Sequence, residues 1–231
     1  MKIAGLVKSS LIDYPGKVAA VVFTQGCNFR CGFCHNPDLI PIDSDASIAT
    51  AEVSAFLTKR KNILDGVVIT GGEPMVQSDL LTFMKKLKEM GYLVKLDTNG
   101  SNPAALAKVI AEGLVDYIAM DIKGPLADYE NICGHTDTDK ISESIGIIMN
   151  SGLDYEFRTT VLPHYHEVED FHKVGALIQG AKCYTIQGFR PQITFDKKLA
   201  DEKSFTLDEL GRIAEIMKKY VSKVVVHDNL S

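Results

Sequence analysis

Apolar runs rich in β-branched residues recur along the whole chain, and stretches with helical spacing separate them. The runs lie at 19–25, 67–70, 93–97, 117–121, 155–161 and 183–187, with a further candidate at 223–226. They are continuous rather than alternating, as expected for strands of a parallel sheet covered on both faces by helices. Between them, 78–90 places Leu80, Met84 and Leu87 on one face with Leu81 beside them, and Lys85, Lys86 and Lys88 on the other. Gly91 then fits a helix terminator. Residues 206–220 carry an inner stripe of Leu207, Leu210, Ala214 and Met217, and Thr206 with Glu209 matches a capping box.

Regular β–α alternation with right-handed crossovers gives an α/β fold with a parallel sheet and outer helices. Six or seven units are too few for a closed eight-fold barrel. The expectation is therefore an open, partial (β/α)6 barrel spanning 1–231 as one domain, with a doubly wound sheet as the alternative. Either fold puts ligand chemistry at the carboxyl ends of the strands.

Composition excludes several classes. The charge sum is −5, from 25 Lys and Arg against 30 Asp and Glu, which argues against a nucleic-acid binder. The short basic runs at 59–61 and 85–88 read as solvated helix faces. The apolar stretches are strand-sized, too short to span a bilayer, and MKIAGLVKSSLIDYPGK lacks a signal-peptide core, so the expected location is cytoplasmic. Five cysteines, three of them within eight residues, do not suit a disulfide framework and point to metal.

That trio follows the first predicted strand directly: Gly26-Cys27-Asn28-Phe29-Arg30-Cys31-Gly32-Phe33-Cys34-His35. The C-x3-C-x2-C spacing sits in a loop where a parallel sheet binds ligands. Thiolates hold iron–sulfur clusters, and a [4Fe–4S] cube takes four, so three leave one iron open for chemistry. A zinc site completed by His35 or a remote cysteine is the competing reading, although His35 adjoins Cys34 too closely for easy tetrahedral ligation. Spacing alone leaves both open. Cys133 and Cys183 read as plain apolar residues, and His164 and His166 as surface or loop residues after Pro163.

C-x3-C-x-aromatic-C, with Phe33 as the aromatic, resembles the signature of the radical S-adenosylmethionine (SAM) superfamily. The resemblance implies a [4Fe–4S] cluster on Cys27, Cys31 and Cys34, whose free iron is chelated by SAM. One electron then yields methionine and a 5′-deoxyadenosyl radical. It implies adenine contact near Phe33 and assigns Gly71-Gly72-Glu73-Pro74 to the motif that meets the SAM amino group. Asp97-Thr98-Asn99-Gly100 and Asp121-Ile122-Lys123 resemble strand ends of the glycyl-radical-enzyme activases. There Asp97, Thr98 and Asp121 would help hold a monovalent cation, and Lys123 would contact SAM. Arg158, a charge inside a strand run, suits either the SAM carboxylate or an ion pair within the barrel. Gln187 and Arg190 are further candidates.

Together with Asp13-Tyr14-Pro15-Gly16 and Phe189-Arg190-Pro191, these motifs resemble the activating proteins of anaerobic ribonucleoside-triphosphate reductase, relatives of the pyruvate formate-lyase activases. The resemblance implies a glycyl radical enzyme as partner and a flavodoxin or ferredoxin as electron donor. It leaves open another glycyl-radical partner such as pyruvate formate-lyase, a small-molecule substrate, and a non-catalytic zinc or iron module.

Overall fold

A computed structural model describes residues 1–44 and 48–228. Eight strands form one sheet in sequential order, β1 Ile3–Ser10, β2 Ala19–Thr24, β3 Gly66–Gly71, β4 Leu93–Thr98, β5 Tyr117–Asp121, β6 Asp154–Val161, β7 Tyr184–Gly188 and β8 Val224–His227. From β2 to β8 every pairing is parallel, and β1 alone runs antiparallel, against β2. The crossovers carry α1 Thr50–Arg60, α2 Leu80–Glu89, α3 Pro103–Ala111, α4 Tyr129–Cys133, α5 Thr138–Met149, α6 Phe171–Leu177 and α7 Leu207–Met217.

Strand order never reverses, so the doubly wound alternative is ruled out. Six β–α units, from β2 to α7, form the open barrel expected from the sequence, with β8 added at one edge. Same-handed crossovers between neighbouring strands put all helices on one side of the sheet. The expectation of helices on both faces is therefore corrected. On the helix side, Ala20, Val22, Val67 and Ile69 join the main core, while on the inner side Ala19, Val21 and Val68 form a small second cluster with Tyr14, flanked by half-buried Phe23, Leu93 and Tyr117. Along β6 and β7 the inner face is polar, with Glu156, Arg158, Thr160, Thr185 and Gln187 on the cavity side. In β6 burial alternates, with Glu156, Arg158 and Thr160 half-buried between buried Tyr155, Phe157, Thr159 and Val161.

The two helices read from spacing form where expected, with one correction. In α2, Leu80, Phe83, Met84 and Leu87 are buried. Its end is a Schellman turn, in which Tyr92 N donates to Leu87 O and Gly91 N to Lys88 O, with Gly91 at φ +76°. In α7 both halves of the Thr206–Glu209 capping box are present, but Leu207 is 59% exposed, and Ile213 and Ile216 are buried instead. β1 was not anticipated. It is an edge strand with bulges and a mixed sequence, Ile3 buried and the rest half-buried or exposed, so no apolar run announces it.

Candidate active site

Beyond β2 the chain leaves the sheet at Gln25, whose side-chain amide donates to Asp38 O (2.9 Å) and Pro41 O (2.7 Å). Backbone bonds from Gly26 N to Leu39 O and from Cys27 N to Ile40 O close residues 26–40 into one loop. Inside it Cys34 N donates to Cys31 O. Cys27, Cys31, Cys34 and Phe33 line a cavity of about 230 Å3, together with Gly71, Gly72, Glu73, Asp97, Thr98, Asp121, Lys123 and Arg158. Of the residues nominated from sequence, all but Pro74 and Arg190 border that space; Pro74 is buried at the start of the turn beside it. Gln187 borders it as well. Asn99 and Thr160 were missed; Thr160 lies two residues after Arg158, on the same strand face, a period-2 signal that could have found it.

The thiols suit a metal centre better than free thiolates. Burial pushes Cys27 up to about 12 and raises Cys34. Cys31 is raised by its contact with the Cys133 thiol and by burial. A coordinating cation reverses that cost by deprotonating the sulfur outright. Cys133 is thus more than apolar filler: its thiol meets Cys31, and its carbonyl accepts Arg30 N at 2.8 Å. Cys183 is half-buried and lies outside this cavity. Among the described residues no three His, Cys, Asp or Glu side chains converge on a single-ion site.

Two glycines let β3 turn against the cysteine loop. A Cβ at Gly72 would overlap the Gly26 carbonyl oxygen, and Glu73 N donates to that oxygen at 2.8 Å. A Cβ at Gly71, whose φ is +109°, would likewise overlap Thr24 N. Glu73 is buried, and its carboxylate accepts from Met75 N (2.9 Å), Thr98 Oγ1 (2.8 Å) and Asn99 N (2.6 Å). Burial outweighs those three donors and pushes the carboxyl up to about 7.

A ladder of charges crosses the inner face. Arg158 Nε donates to Asp121 Oδ1 at 2.8 Å and a terminal nitrogen to Asp97 Oδ2 at 3.2 Å, so the guanidinium forms the ion pair within the barrel. Lys95, 2% exposed and not anticipated, donates to Asp97 at 2.6 Å. Lys123 donates to Asp121 at 3.1 Å, with its ammonium 5.9 Å from the Phe33 ring centroid. Burial by itself would raise both aspartates, but Arg158 with Lys95 holds Asp97, and Arg158 with Lys123 holds Asp121, below the usual carboxylate range. Burial opposes protonated Lys123, yet Asp121 keeps its pKa above the ordinary lysine value.

A second cavity of about 500 Å3 continues from the first, sharing Arg158, Thr160, Gln187 and His35. It runs down β6 and β7 past Glu156 and Thr185, carries Arg190 on its wall, and ends against Ile12, Asp13 and Pro15. His164 is an exposed loop residue paired with Glu202, as expected. His166 corrects the expectation: it lies in the loop but is 3% exposed, because its ring packs beneath the segment that carries Lys123.

A sequence profile described as the radical SAM superfamily matches residues 21–177. A provisionally named glycyl-radical enzyme activating enzyme of Methanocaldococcus jannaschii is 34% identical, over 97% of this chain and 95% of its own. The pyruvate formate-lyase-activating enzyme of Clostridium pasteurianum is 31% identical, over 94% of this chain and 97% of its own. Among solved structures, Streptococcus suis SuiB bound to its precursor peptide SuiA superposes with TM-score 0.71 at 13% identity, over 90% of this chain. The chain spans about half of SuiB, 48% of its length, and the likeness is one of fold.

Proposed function

The chain belongs to the radical SAM superfamily, and from that premise we propose that it is the activase of an anaerobic ribonucleoside-triphosphate reductase. The family implies a [4Fe–4S] cluster and SAM, and the activating enzymes among its relatives make it a radical SAM oxidoreductase of the glycyl-radical-activating type. One observation carries the reading: the thiols of buried Cys31 and half-buried Cys27 and Cys34 and the Gly71–Glu73 turn border one cavity, which continues into a second reaching the floor of an open barrel.

In this reading Cys27, Cys31 and Cys34 hold the cluster. When bound, cluster and SAM together supply a 5′-deoxyadenosyl radical. Phe33 lines the adenine side, and the Gly71-Gly72-Glu73-Pro74 turn meets the SAM amino group. Glu73 orients that turn by tying it to Thr98 and Asn99. Arg158 and Lys123 supply positive charge for the SAM carboxylate. A monovalent cation at Asp97, Thr98 and Asp121 would compete with Arg158, which bridges the two carboxylates. The second cavity would take an extended loop of the partner and bring a glycine beside the cysteine-lined cavity, where SAM would bind. Glycine suits this step, since no side chain blocks approach and flanking amides stabilise the product radical. Catalysis is then largely positioning.

The protein acts as one radical SAM domain over 1–231, in the cytoplasm, with a flavodoxin or ferredoxin as electron donor. Among the described residues no helix is long and apolar enough to cross a membrane. The Clostridium relative favours a second reading, activation of pyruvate formate-lyase. One anaerobic experiment separates the readings. Reduced, cluster-reconstituted protein and SAM are mixed with either partner, and the glycyl-radical EPR doublet is recorded. A doublet on the reductase alone is expected. A doublet on pyruvate formate-lyase alone selects the second reading. 5′-Deoxyadenosine without a doublet on either points to a small-molecule substrate. No 5′-deoxyadenosine at all, from protein carrying zinc, ends the enzymatic reading.

A further inference from the structure

Lys123 stands in a loop, two residues beyond the end of β5, yet its backbone is held on both sides by buried rings. Its N–H donates to Tyr129 Oη at 3.1 Å, and its C=O lies 2.7 Å from His166 Nε2. Tyr129 belongs to α4 and is 0% exposed; His166 lies in the loop after β6 and is 3% exposed. A carbonyl can only accept, so the His166 proton sits on Nε2. The ring's Nδ1 is then free to accept Leu162 N–H at 3.2 Å. The fit is tight, since a Cβ at Gly124 would come within 3.3 Å of His166 Nε2.

A lysine on an unrestrained loop would spread its ammonium over many positions, because four rotatable bonds multiply any backbone motion. Here the ammonium is held between Asp121 and the Phe33 ring, on the wall of the cysteine-lined cavity. Ordering it beforehand removes an entropic cost from ligand binding.

We propose that His166, through Nε2–H donated to the Lys123 carbonyl, is a positioning residue that pre-orders Lys123 for SAM. The proposal deepens the activase reading and rests on its placement of Lys123 against SAM. Its remoteness from the cavity sets His166 apart, because it acts only through the Lys123 backbone. Phenylalanine at this position keeps the ring and loses both hydrogen bonds. Glutamine keeps a donor near the Nε2 position.

The test uses anaerobic, cluster-loaded protein with the cluster oxidised, so that SAM binds without being cleaved, and measures SAM affinity by equilibrium dialysis. His166→Phe is expected to weaken SAM binding about tenfold, the equivalent of one lost hydrogen bond of roughly 1.4 kcal/mol. His166→Gln is expected to stay within about threefold of wild type. Lys123→Met should weaken binding too, and adding His166→Phe to it should cost nothing further. Amide exchange across 122–125, read by mass spectrometry on cluster-free protein, should quicken in His166→Phe and not in His166→Gln. If His166→Phe folds poorly, Tyr129→Phe removes the other half of the clamp and should weaken SAM binding severalfold. Should Lys123→Met leave SAM affinity unchanged, the activase placement of Lys123 is wrong. Should Lys123→Met weaken binding while both ring variants do not, or should Phe and Gln at 166 behave alike, the positioning role is overturned.

Discussion

The Glu73 carboxylate accepts the backbone amide of Asn99 at 2.6 Å, so the turn after β3 and the end of β4 share one buried anion. The same group takes Met75 N and Thr98 Oγ1, which makes Glu73 a joint between two strand ends as well as a border of the cavity.

A pH dependence follows from that burial. The carboxyl is raised from its ordinary 4.5 to about 7, so in this window the native protein binds more protons than the unfolded chain. Glu73 therefore favours folding at the acid end, and its contribution declines as pH climbs through about 7. Melting of wild type and Glu73→Gln from pH 5 to 8 should show the difference moving against wild type as pH rises. A difference independent of pH would mean that Glu73 titrates as an ordinary surface carboxyl.

Gly72→Ala should disable the cysteine loop, because the new methyl would stand 2.6 Å from the Gly26 carbonyl carbon, an atom of the backbone. Reconstituted iron per chain is expected to fall below half that of wild type, on the order of a 1–3 kcal/mol packing penalty. Gly146→Ala on α5, where nothing lies within 4 Å, should keep full iron content and gain about 0.5–1 kcal/mol of stability. Normal iron loading in the first variant would show that the loop can yield.

Arg158→Met removes the cation that Asp97 and Asp121 share and leaves each with a single lysine partner. Denaturant unfolding near neutral pH should report a loss of about 3–5 kcal/mol, as for a broken buried pair. Both carboxyls are held below the usual carboxylate range, so this stability is present at neutral pH and fades as acidification protonates them. The gap between variant and wild type should accordingly narrow below about pH 4. A gap that widens in acid would contradict the assignment.

Exchanging potassium and sodium for a bulky organic cation should lower SAM cleavage severalfold if a monovalent cation binds at Asp97, Thr98 and Asp121. Unchanged 5′-deoxyadenosine yield would leave Arg158 as the sole bridge between the two carboxylates.

Cys31→Ala should abolish both the four-iron cluster and SAM cleavage, whereas Cys133→Ser should keep iron and sulfide near wild-type content. Iron analysis and 5′-deoxyadenosine assay on anaerobically purified protein check both. Loss of the cluster in Cys133→Ser would make that neighbour of Cys31 a ligand.

The repeating strands were legible because their helix-facing side is apolar and β-branched residues recur in them, and 117–121 coincides with β5 end to end. The cysteine loop and the strand-end motifs were legible because their residues are contiguous. β1 escaped because an edge strand needs no apolar run. Lys95 escaped because a lysine in a strand reads as surface until its partners are known, and here Asp97 and the face of Tyr117 enclose it. His166 escaped for the same reason, since its partner Lys123 lies 43 residues away.

Local order of residue types thus determined the β–α repeat, the open barrel and the loop bearing Cys27, Cys31 and Cys34. Periodicity and capping act between near neighbours, and they are written where they act. Tertiary structure alone decided that Arg158 bridges Asp97 and Asp121, that Glu73 ties two strand ends together, and that His166 lies buried beneath Lys123. Those choices depend on which side chains meet across 25 to 61 residues, and on a low-dielectric interior that makes any unpaired polar group costly.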